Sequence, residues 1–77
     1  MTHPLFGLLA DLDGASIHYT LARSRPDTVR VNVTFVGERV EVDVFEDGHM
    51  EVSRFRGSEA VVGDATLIET LIAEHSD

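Results

Sequence analysis

The sequence predicts an α+β protein: an N-terminal helix, a four-stranded antiparallel meander and a C-terminal helix, with both helices packed on one sheet face as a two-layer sandwich. Three observations lead there. Between residues 16 and 55, four runs alternate apolar and polar residues, the period of a half-buried strand. At each end of the chain, apolar residues recur at helical spacing instead. Each helical stripe needs a surface to cover it, and the valine-rich face of the meander is the surface the chain offers to both.

Residues 3–12 read as the first helix. Leu5, Leu8, Leu9 and Leu12 follow the i, i+3, i+4, i+7 pattern, Thr2 can cap it, Pro4 fits the first turn, and Asp13-Gly14 supplies a stop. Gly7 inside it costs about 1 kcal/mol relative to alanine, so packing has to hold this helix. The strands span 16–23, 29–36, 39–45 and 49–55. Residues 64–75 make the second helix: Asp64 caps it, Leu67, Ile68, Leu71 and Ile72 form its stripe with His75 at the end, and Glu69 and Glu74 face away.

Turn chemistry sets the register, because a one-residue slip turns a whole strand over. A two-residue Gly37-Glu38 loop of type II′ pairs Phe35 with Val40, Val33 with Val42 and Val31 with Val44. At "FEDGH", a two-residue Asp47-Gly48 turn would set Val44 opposite Glu51. A three-residue loop, Glu46 to Gly48, with Gly48 left-handed, pairs Val44 with Met50 and Val42 with Val52 instead. A five-residue loop from Ser24 to Thr28 pairs Leu21 with Val31 and Tyr19 with Val33. The predicted core face is Ile17, Tyr19, Leu21, Val29, Val31, Val33, Phe35, Val40, Val42, Val44, Met50 and Val52.

Seventy-seven residues read as one domain, 1–77, near the lower size limit for a chain without disulfides or metals. Such a chain buries only about 60% of its unfolded surface, so its margin is thin and self-association would help it. The absence of cysteine removes disulfides, thiolate metal sites and thiol catalysis. The run "PLFGLLA" is too short to span a bilayer and has no basic segment before it, so a soluble cytoplasmic protein is expected. A formal charge of −8 argues against nucleic acid or an anionic membrane as partner, and permits a basic protein. All six basic residues are arginine and lie between Arg23 and Arg56, whereas five acids and no base follow Gly57.

The predicted registers also arrange the opposite face in rows. One holds His18, Thr34, Glu41 and Ser53; the next Thr20, Asn32, Asp43 and Glu51; the third Ala22, Arg30, Phe45 and His49. Val36 and Arg39 lie beyond. Phe55 is expected in the core, brought round by a kink near the strand end, with the outer face as its other placement. An ordinary solvated face accounts for the first row. In the second, Asp43 opposite Glu51 is unfavourable unless a cation stands nearby or a partner brings one. Arg30 beside Phe45 reads as a cation–π pair. The candidate binding residues are Arg30, Asn32, Glu41, Asp43, Phe45, His49 and Glu51.

Catalytic arrangements are weaker readings. Asp43 and Glu51 lack the cleft that would shift a pair of carboxyls, and His18, Ser53 and Glu41 form a triad only as a list, on strands too far apart. His3, His18, His49 and His75 fall in different elements without ligand spacing, so no metal is expected. "DLDG" at Asp11 lacks the later ligands of a calcium loop, and the glycines sit singly at turns. Neither an enzyme nor a cofactor is expected.

The stretch "IHYTLARSRPDTVRVNVTFVGERVEVDVFEDGHMEVSRFRG", residues 17–57, resembles a group of small uncharacterised bacterial proteins that share "GER", an alternating strand, "FEDG" and "E-x-x-RF". In size and charge the chain is also similar to the immunity proteins that neutralise bacterial toxins. These resemblances imply a compact α+β fold and no catalytic residues. Two functions are compatible with this reading: a noncatalytic acidic module that binds a basic protein, of which immunity is the sharpest form, or a self-associating structural protein that pairs through the open face or an edge strand 49–54. A homodimer fits either.

Overall fold

A computed structural model describes residues 3–56 and 59–75. Helix α1 spans Pro4–Gly14, strands β1 to β5 span His18–Arg25, Thr28–Phe35, Glu38–Phe45, Met50–Arg56 and Glu59–Gly63, and helix α2 spans Ala65–His75. The protein is α+β, with a five-stranded antiparallel sheet in the order β1-β2-β3-β4-β5. The expected four strands are therefore five, and the strand expected at the edge, 49–54, lies between β3 and β5. The run "EAVVG" sets two valines side by side, so it lacks the alternation that marks the other strands. It joins the sheet through its pairing of Arg56 with Glu59 and Phe55 with Ala60.

Helix α1 begins one residue later than predicted, and His3 is its cap: Nδ1 accepts from the Leu5 N–H at 3.1 Å. Because Nδ1 accepts, Nε2 carries the proton and donates to the Glu46 carbonyl at 3.1 Å, tying the helix start to the β3–β4 turn. Thr2, the expected cap, lies outside the described residues. The helix runs past Asp13 through Gly14, and the left-handed residue behind it is Ser16, at φ 57°. For α2 the expected cap holds: Asp64 Oδ1 accepts from the Thr66 N–H at 3.0 Å. At its other end His75 meets the Leu71 carbonyl and packs against Phe35, ring centroids 4.3 Å apart and planes tilted by 36°.

Two of the three predicted registers are observed. Tyr19 faces Val33 and Leu21 faces Val31; Val44 faces Met50 and Val42 faces Val52, with Gly48 at φ +99° closing the bulged turn. The central hairpin differs. Its loop is Val36-Gly37, with Gly37 at φ +81°, and Phe35 pairs with Glu38, Val33 with Val40 and Val31 with Val42. This is a slip of two residues from the predicted pairing, and an even slip leaves every side chain on its predicted face. The expected Ser24–Thr28 loop is shorter as well: a bulge between Ala22 and Arg25 carries the ladder on to an Arg25–Thr28 pair.

One buried cluster joins Leu8 and Leu12 of α1, Ile68, Leu71 and Ile72 of α2, and Val31, Val33, Phe35, Val40, Val42, Val44 and Val52 of the sheet. Ile17, Tyr19 and Met50 pack against it, half-buried. Tyr19 also donates to Asp13 Oδ1 at 3.0 Å, and that bond raises its phenol above the ordinary value. Leu21, expected in the core, is 52% exposed, because it lies far along the edge strand β1.

Candidate functional site

Opposite the buried valines, the observed register draws new rows. They read His18–Thr34–Arg39–Phe55–Ala60, Thr20–Asn32–Glu41–Ser53–Val62 and Ala22–Arg30–Asp43–Glu51. A fourth, at the turn end, runs Arg25–Thr28–Phe45, where the Phe45 N–H donates to the His49 carbonyl. The two-residue slip brings Arg30 directly beside Asp43.

That neighbour resolves the carboxylate pair. Asp43 does face Glu51 across the strands, but the Arg30 guanidinium forks onto Asp43, Nε to Oδ1 at 2.9 Å and Nη2 to Oδ2 at 3.3 Å. Its remaining nitrogen, Nη1, stands 3.5 Å from Glu41 Oε1, and Arg39 reaches the other oxygen of Glu41 at 3.7 Å. The hydrogen bond to Asp43 and then its charge push the Arg30 guanidinium further above its already high value. Of the three carboxylates in the predicted site, only Glu51 has no ion pair among the described residues, and it is exposed. Asn32 sits half-buried between Thr20 and Glu41.

Phe45 does not meet Arg30 as predicted. The His49 ring stacks on it, centroids 4.1 Å apart and 7° from parallel, and the Arg25 guanidinium lies 5.1 Å from its centre. Thr28, between Arg25 and Phe45 in the row, is 4% exposed. Asp47 fixes the histidine, accepting from its backbone N–H at 3.0 Å and meeting Nδ1 at 2.6 Å. The backbone bond first, and the ring second, lower the Asp47 carboxyl below its ordinary value. Phe55 is on the outer face, half-buried, with Arg39 over its ring at 4.9 Å. Its parity with Ser53 puts it there, so the expected kink into the core does not occur.

Sequence reasoning missed three contributors: Arg25 and Arg39, which cover the phenylalanines, and Val62, which is 74% exposed. Cation–π pairing across strands requires the register, so no local signal announced the first two. It also missed an ion pair on the core-side rim, Arg54 Nε donating to Glu38 Oε2 at 2.6 Å, with the Glu38 side chain 4% exposed. The outer face is locally balanced, with Arg25, Arg30 and Arg39 against Glu41, Asp43 and Glu51. The two helices carry Asp11, Asp13, Glu69 and Glu74 and contain no lysine or arginine of their own.

His18 and Ser53 lie three strands apart, roughly 14 Å at normal strand spacing, so they cannot share a proton. Among the described residues, no group of three or more His, Asp or Glu is placed to hold a metal ion, and no helix is long and apolar enough to cross a membrane. The chain has no significant match to a protein-family model, a curated protein or a solved structure.

Proposed function

We propose that this protein is a noncatalytic interaction module that seats a partner protein of basic net charge on the outer face of its sheet, immunity-type binding being the sharpest form. In this reading α1 and α2 both cover the valine face as a two-layer sandwich, and the opposite face is left to the partner. One observation carries it: two phenylalanines on that face are each held against an arginine, Phe45 by Arg25 and Phe55 by Arg39. Aromatic residues and arginine are enriched at protein interfaces, and pre-positioned side chains lose little freedom on binding. Five strands about 4.8 Å apart and up to eight residues long give roughly 600 Å² of face, near the ~800 Å² per partner of a standard interface. The charge of −8 steers a basic protein toward the chain.

A photo-crosslinking amino acid in place of Asn32, at the middle of the face, tests this in the cells that make the protein. A crosslink to a basic protein, lost with Phe45→Ala, is expected. No crosslink to any protein overturns the reading.

Self-association is the second reading, and β5 favours it. Val61 and Val62 are 50% and 74% exposed on a strand that forms one edge of the sheet among the described residues, and such an edge invites pairing with a second copy. Light scattering over a wide dilution range tests it: a dimer that Val62→Lys dissolves supports it, and a monomer at every concentration rules it out.

A further inference from the structure

Between the two helices lies a groove of about 340 Å³. Leu8, Met50, Ile68 and Ile72 make it apolar, Asp11 and Glu69 add one carboxylate from each helix, and Gly7 lines it as well. Gly7 is the unexplained residue. A glycine inside a helix is unfavourable relative to alanine, its φ here is not positive, and a Cβ added to it would meet nothing within 4 Å. Neither backbone conformation nor internal packing requires it. What glycine does supply is room for another backbone to approach closely.

We propose that this groove docks an amphipathic, positively charged helix from a partner protein, with an apolar residue set between α1 and α2 and flanking lysines or arginines at Asp11 and Glu69. Charge complementarity selects that occupant. Neither carboxylate makes an ion pair or side-chain hydrogen bond among the described residues, and neither helix contains a lysine or arginine. An apolar groove that receives the apolar face of a helix is a common recognition mode. This site is separate from the outer sheet face and does not depend on its role.

The probe is a synthetic fourteen-residue leucine/lysine amphipathic helix, titrated into the full chain and followed by amide and methyl NMR shifts. The expected perturbations centre on Gly7, Leu8, Met50 and Ile72. Gly7→Leu, which fills the groove with a good helix former, abolishes them. Asp11→Asn with Glu69→Gln weakens binding by about tenfold and reduces its salt dependence. The same peptide with glutamate in place of lysine does not bind. Three results overturn the inference: no shifts at millimolar probe, binding indifferent to Gly7→Leu, or equal binding of the glutamate peptide. Shifts confined to Asn32, Phe45 and Phe55 also overturn it, while favouring the outer face as the docking surface.

Discussion

Remove the Arg30 guanidinium and Asp43 is left beside Glu51 with its compensating charge gone. The pair is part-exposed, so solvent screens it, and a double-mutant cycle between Arg30→Ala and Asp43→Ala should return about 0.5–1 kcal/mol. Arg30→Ala alone should cost more stability than Arg30→Ala made together with Asp43→Ala, measured by urea denaturation. A coupling energy within error of zero would mean the fork contributes nothing. Asp47 offers a second test. The hydrogen bonds from His49 hold its folded carboxyl below the ordinary aspartate value, so the stability it contributes is complete above the ordinary value and is lost as pH falls through the lowered one. NMR titration should place Asp47 below the ordinary aspartate value of about 3.9. His49→Ala should return it only part of the way, since the backbone N–H at residue 49 remains.

Two short connections set the geometry of the elements. Gly48 combines φ +99° with a position where an added Cβ would stand 3.2 Å from Pro4 Cγ, so the bulged turn and the first turn of α1 meet there. Gly48→Ala should destabilise the protein by about 1–2 kcal/mol, read as a lower thermal midpoint. A change within error would show that the turn relaxes without loss. Asp64 is the matching signal for α2, and Asp64→Ala should cost about 1 kcal/mol through the Thr66 N–H it leaves unpaired. Both features are legible in sequence, because "EDG" and "GDATL" are local patterns with local causes. Strand β5 is not, since five residues without alternation carry no local signature.

For the molecule as a whole, the core is small and shared. Leu12, fully buried, sits in the cluster that joins both helices to the sheet. Leu12→Ala should cost about 2–5 kcal/mol, comparable with the entire stability of a domain at the low end of the ~5–15 kcal/mol range. The variant should therefore show a large unfolded population by circular dichroism without denaturant; a cooperative, well-folded variant would mean the core carries more margin than its size implies. The sequence alone determined which side of the sheet most residues of β1 to β4 take, Phe55 excepted, together with both helical stripes, the Asp64 cap and the bulged turn at Gly48. Periodicity is a property of one strand or one helix, and face assignment survives an even slip in pairing. Tertiary structure decided who stands opposite whom. A two-residue slip at Gly37 gave Arg30 to Asp43 and left Phe45 to His49 and Arg25, while Phe55 stayed outside under Arg39. Those choices depend on cross-strand neighbours, and the pattern along one strand carries no information about them.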